Sequence, residues 1–243
     1  MRFEDPSGIP PTLLVTGHRG VLGKRIVEAV GTIDPPINVA TFTGDITDDR
    51  QVRLFLDHAP TITHVIHAAA VVPVQAVERN IERAMEVNAT ATGKLAHELG
   101  QRFPSLHFVY VSTSHVYREA ATAIKENNPL SPSSVYGKTK LAGESALREA
   151  QMRHGFDVCT ARVFSMYSED QDSSFLYPSL RRKIAAANGE KALSVHGWNN
   201  VRDFSSADEV ARCVTWLSRG MVSGVVNVGS GEGLSIARFA ERI

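Results

Sequence analysis

Thr12-Leu13-Leu14-Val15-Thr16-Gly17-His18-Arg19-Gly20-Val21-Leu22-Gly23 decides the fold. Residues 12–16 are a short apolar run that stops at a glycine, the pattern of a parallel strand covered on both faces. Beyond the glycines, Leu22, Ile26, Val27 and Val30 recur at helical spacing. Gly17 suits the tight turn between strand and helix, Gly20 lets a phosphate approach the backbone, and Gly23 lets the helix pack against the strand. The first amides of a helix are unpaired donors at the positive end of its dipole. The stretch therefore reads as a cradle for the pyrophosphate of a dinucleotide. Its expected contacts are Gly17, His18, Arg19, Gly20, Val21, Leu22 and Gly23.

Outward from the cradle, strand and helix alternate. Strands are expected over 37–42, 64–67, 106–111 and 157–164, and helices over 48–59, 78–101 and 134–154. Asp48 and Gln51 have capping-box spacing at the start of the second helix. Such alternation predicts an α/β fold, a Rossmann-like doubly wound parallel sheet over residues 12–164. After Phe164 the rhythm changes. Helices are expected over 176–188, 206–217 and 235–243, and short strands over 192–195 and 225–228. Residues 165–243 are expected to form a small mixed α/β C-terminal lobe that receives substrate. A strand and a helix from 198–228 could return to the first sheet. A last helix of about two turns is marginal by itself, so further residues are expected beyond Ile243.

A second motif, Tyr136-Gly137-Lys138-Thr139-Lys140, opens the 134–154 helix. It sets a phenol and an ammonium one turn apart. A tyrosine is a poor base near neutral pH, with an unperturbed pKa of ~10. A lysine one turn away can lower that value by its charge and can hold a cofactor ribose.

Bulk composition excludes other classes. Lys plus Arg and Asp plus Glu each total 26, so no net charge draws the chain to nucleic acid or an anionic membrane. No run approaches the ~18 apolar residues of a membrane span, and residues 1–11 have no signal-peptide core. Cys159 and Cys213 lack close ligand-spaced partners and read as free, buried thiols. No metal site is expected, and the expected compartment is the reducing cytoplasm.

The T-G-x-x-G-x-x-G spacing of residues 16–23, followed by Y-x-x-x-K, resembles the extended short-chain dehydrogenases/reductases, the NAD(P)-dependent nucleotide-sugar epimerase/dehydratase/reductase family. The resemblance spans nearly the whole chain. It implies that Asp45 and Ile46 contact adenine, with Asp45 accepting the adenine amino group. Ala68, Ala69 and Ala70 would lie against ribose and phosphates, and Asn88 would steady the centre of the site. By the same resemblance Thr113 is the catalytic hydroxyl beside Tyr136 and Lys140, with Ser112 at the cofactor. Ser114, Ser165 and Arg202 fall to the substrate, with Arg202 on its diphosphate. Dehydratases of the family carry an Asp-Glu pair after the catalytic hydroxyl. Ser114-His115 stands there, which argues against dehydration, and His115 is expected to be solvated.

The cofactor is NADP or NAD. An NAD site usually has a carboxylate at the end of the second strand, whereas this strand ends Thr41-Phe42-Thr43. Arg19 offers a partner for a 2′-phosphate, and its turn resembles that of an NADP-dependent reductase of the family. Together these favour NADP. The expected function is an epimerase or 4-ketoreductase of a nucleotide-activated sugar, moving hydride at a sugar carbon with tyrosine as acid/base. The alternatives are a cofactor sensor without catalysis and a reductase of a small non-sugar carbonyl. A homodimer is expected through the 78–101 and 134–154 helices, using Ala84, Val87, Ala91, Leu95, Leu141, Ala142 and Ala146.

Overall fold

A computed structural model describes residues 11–32, 36–72, 74–187, 195 and 197–243. Strand β1 (Thr12–Thr16) is buried at every position. Helix α1 (Val21–Gly31), strand β2 (Asn38–Phe42), helix α2 (Asp49–His58) and strand β3 (His64–His67) follow. Asp48 caps α2 by accepting the amides of Arg50 and Gln51. Next come α3 (Val74–Arg79), α4 (Ile81–Met85), α5 (Ala91–Arg102), β4 (His107–Thr113), α6 (Val135–His154) and β5 (Asp157–Val163). The chain then forms β6 (Ser165–Tyr167), α7 (Leu176–Ala186), β7 (Val201–Ser206), α8 (Ala207–Arg219), β8 (Gly224–Val228), β9 (Gly233–Ser235) and α9 (Ile236–Arg242).

Six strands form one parallel sheet in the order β2-β1-β3-β4-β5-β8. One core packs α2, α5 and α6 on the sheet through Leu56, Leu95 and Leu147. A second core packs α1 and α8 on the opposite face through Ile26, Val30 and Val214. The chain moves from β1 outward to β2 and then back past β1 to β3. That reversal opens a crevice at the carboxyl ends of the strands, where ligands of open α/β sheets bind.

Beyond β5 the chain enters a three-stranded sheet. Strand β6 runs parallel to β7, and β7 antiparallel to β9. Its core is aromatic: Phe204 and Phe239 stack with ring centroids 3.9 Å apart, and Tyr177 and Leu180 close around them. Helix α8, whose Ser206 and Glu209 form a reciprocal capping box, carries the chain back to β8 at the edge of the large sheet.

The structure departs from the expectations in three places. The single helix over 78–101 is broken. Asn80 leaves helical geometry at φ −148° and caps α4 through the Arg83 amide, and Glu86–Thr90 winds as a π turn before α5. Strands β7 and β9 were not expected, while residues 192–194 of the expected 192–195 strand, and Asn188, lie outside the described residues. The helical faces assigned to a dimer are largely spent inside the chain. Ala84, Val87, Ala91 and Leu95 are buried, and Gly93 brings α5 against Ala146 of α6. Among the described residues no helix is long and apolar enough to cross a membrane, and no cluster of His, Cys, Asp and Glu is placed to hold a metal.

Candidate active site

A cavity of about 1010 Å³ opens between the carboxyl ends of the large sheet and the small sheet. The cradle residues 17–23, Asp45, Ile46, the three alanines 68–70, Ser112, Thr113, Tyr136, Lys140, Ser165 and Arg202 all line it. Asn88 and Ser114 are absent from its walls, and His115 and Arg83 stand there unanticipated as contacts. A smaller cavity of about 410 Å³, beside Asp49, Arg53 and Lys94, holds none of the reacting groups.

The cradle has the backbone its glycines promise. Gly17 sits at φ +73°, and a Cβ there would come within 2.6 Å of the Ala69 amide nitrogen. The Gly20 amide donates to the Gly17 carbonyl at 2.9 Å, closing the turn. Helix α1 starts at Val21 with no side-chain cap and no acidic residue in its first turn, and His18 Nδ1 is buried without a partner among the described residues. Uncapped amides at a helix start and an orphaned ring nitrogen suit a bound anion such as a pyrophosphate.

At the adenine end, Asp45 Oδ1 accepts the Thr47 amide at 2.9 Å and the Thr47 hydroxyl at 2.8 Å. Arg83 of α4 reaches across to Asp45 Oδ2 at 2.8 Å. These donors, the Thr47 amide first, hold the Asp45 carboxyl below the usual carboxylate range. Arg19 is exposed at the cavity wall, and β2 ends without a carboxylate.

Asn88 works from behind the wall. Its Oδ1 accepts the Val71 amide at 2.7 Å, and its Nδ2 donates to the Val71 carbonyl and to Thr139 Oγ1 at 3.2 and 3.0 Å. It thereby ties the loop after the alanines to α6. Nearby, His67 bridges Thr16 and Thr92 at 2.6 and 2.9 Å. Full burial drives its pKa down to about 3 and keeps the ring neutral.

The reacting groups meet where β4 ends and α6 begins. Ser134 caps α6 through the Gly137 amide and so starts the helix one residue before Tyr136. Burial pushes the Tyr136 phenol up to about 12, opposed by a hydrogen bond with Thr113. Lys140 is 1% exposed, and burial lowers its pKa to about 7 against the pull of Glu144. The expectation that Lys140 lowers the Tyr136 pKa is therefore not met here: desolvation governs both groups. His115 opens onto the cleft with its ring 5.8 Å from that of Tyr136, edge to face. Desolvation and then the Arg202 charge lower its pKa.

On the far wall Arg202 has its neighbouring acids occupied elsewhere. Asp203 accepts the Ser230 amide and hydroxyl and the Gly231 amide at 2.7 to 2.8 Å, and Asp208 pairs with Arg25 at 3.3 Å. Ser165 begins β6 at the same wall.

With this geometry, comparison with known proteins is decisive. The NAD dependent epimerase/dehydratase family matches residues 13–229. The chain belongs to that family. It is an NAD(P)-dependent oxidoreductase/epimerase of the extended short-chain dehydrogenase/reductase type. A probable low-salt glycan biosynthesis reductase of Haloferax volcanii is 30% identical over 243 residues, covering 94% of this chain and 78% of that one. The GDP-6-deoxy-D-mannose reductase of Pseudomonas aeruginosa is 29% identical over 238 residues, with 94% and 78% covered. The structure of RMD from Pseudomonas aeruginosa complexed with NADPH superposes with a TM-score of 0.83 at 29% identity, covering 95% of this chain and 80% of that one.

Within this epimerase/dehydratase frame, two residues escaped sequence reading for different reasons. Arg83 lies on a helix whose break at Asn80 was not visible, so its direction could not be read. Glu144 was legible, since it continues the Tyr136–Lys140 face by one more turn.

Proposed function

We propose that the protein is an NADPH-dependent reductase acting on a keto carbon, C4, of a nucleotide-activated sugar. The observation that carries this reading is the protonated Tyr136 phenol, raised to about 12, beside Thr113 in the cleft wall. A neutral phenol is an acid, suited to protonating a carbonyl oxygen as it is reduced. When bound, the cofactor supplies the hydride. Thr113 hydrogen-bonds the substrate oxygen and orients it to Tyr136, which gives up its proton as the alkoxide forms. Lys140 holds the cofactor ribose, and the Arg202 fork binds the substrate diphosphate. Arg19 takes the 2′-phosphate and Asp45 the adenine amino group.

Several facts support reduction. The Haloferax and Pseudomonas relatives are both reductases by name, and RMD carries NADPH. The acidic pair that eliminates water is replaced by Ser114-His115. The test is a panel of nucleoside-diphosphate 4-keto sugars with NADPH, read by loss of absorbance and product analysis. Net NADPH consumption with one of them is expected. Interconversion of two sugars without net NADPH consumption would replace the reductase by an epimerase.

A further inference from the structure

Beneath the reacting groups lies a buried ion pair that the steps above do not use. Glu144 of α6 receives Arg162 of β5 on both carboxylate oxygens, at 3.1 Å from Nε and 2.7 Å from Nη2. The two side chains are only 5% and 9% exposed. Ser112 Oγ donates to the same oxygen that Nε reaches. Arg162 also lies 4.8 Å from the centroid of the Tyr117 ring, whose hydroxyl donates to Asn227 at 2.7 Å. Ser112, Arg162 and Asn227 are register partners across β4, β5 and β8, so one row of the sheet is pinned beneath α6.

A buried pair of this kind is poor evidence for stability, because well-packed apolar residues often do as well. Its placement suggests another use. Ser112 immediately precedes Thr113, and Glu144 lies one helical turn beyond Lys140. The groups facing Lys140 are Tyr110 of β4, whose ring lies 4.1 Å from Nζ, the neutral His67 of β3, and Tyr136 and Glu144 of its own helix. Glu144 is the anion in that set, and Arg162 draws its charge away.

We propose that Glu144 and Arg162 are positioning residues that lock the Ser112–Thr113 strand end to α6 and meter the negative charge that Lys140 feels. Removing the anion leaves Lys140 among aromatic and neutral groups. Removing its counter-cation leaves the anion free to act on Lys140 alone. The two changes must therefore push Lys140 in opposite directions, which a purely structural pair would not do.

The test uses the full chain labelled with [13C]lysine, following Cε shifts against pH, with the Lys140 resonance identified by its loss in Lys140→Met. In Glu144→Gln the Lys140 midpoint is expected to fall by about one pH unit, a tenfold change, and in Arg162→Met to rise. Glu144→Gln/Arg162→Met leaves neither charge buried alone, so it guards against misfolding of the single variants, and it should show the fall. An unmoved midpoint in the folded double variant, or shifts of the same sign in the two singles, would overturn the proposal.

Discussion

Lys140 is sealed from solvent with its ammonium 4.1 Å above the ring of Tyr110. The ring face offers some attraction to a cation, yet burial dominates and the pKa falls to about 7. Below about pH 7 the folded and unfolded chains both hold this proton. Between about 7 and the unfolded value of ~10.4 only the unfolded chain holds it. Lys140 therefore makes the cofactor-free protein more stable as pH rises through that window, by on the order of a few kcal/mol. Lys140→Met should flatten that rise while removing turnover. Denaturant unfolding at several pH values, wild type against variant, reads it directly.

Tyr136→Phe should cut turnover by roughly 10²–10⁴-fold, the usual contribution of a positioned acid. Cofactor affinity should change little, because the lost hydroxyl faces Thr113 and substrate. Rapid-mixing assays and fluorescence titration of NADPH separate the two quantities. Undiminished turnover would remove Tyr136 from the chemistry.

Arg19→Ala should weaken NADPH by about tenfold and leave NADH nearly unchanged, since a charge-assisted contact to a phosphate is worth about 1.5–3 kcal/mol. Titration of both nucleotides with both proteins checks this. Equal losses for the two would place Arg19 on the shared pyrophosphate instead.

Asn88→Ala strips the Val71 amide and carbonyl and Thr139 of a buried partner. It should cost about 2–4 kcal/mol of stability and weaken the cofactor through the loosened loop after the alanines. Asn88→Asp should be nearly as costly, because it buries a carboxylate and loses both Nδ2 donations. Chemical denaturation with nucleotide titration on the same samples tests both.

The sequence carried the large sheet because its signals are local. Residues 12–23 hold the strand, the turn and the helix start within one short run, and Gly17 does in three dimensions what its position implies. Less was legible where tertiary surroundings decide. Nothing in 78–101 announced that Asn80 would stop one helix and cap the next. The acidity of Tyr136 could not be read from its spacing to Lys140, because burial by the rest of the fold outweighs the charge one turn away. Arg202 was placed at the substrate wall from its motif, but only the three bonds on Asp203 show why that arginine is not spent on its neighbour.

The π turn at Glu86–Thr90 has a bearing on how this chain tolerates deletion. A helix advances about 100° per residue, and the wide turn stores one residue more than an α-helical path would need. Removing one residue there would let the winding become regular and would turn α4 by about that angle relative to α5. Arg83 would swing away from Asp45, and the tie between the cradle's outer wall and the helix would open. The extra residue acts as a phase setting, and a protein shortened by one position there should keep its sheet yet lose its grip on the adenine end of the cofactor.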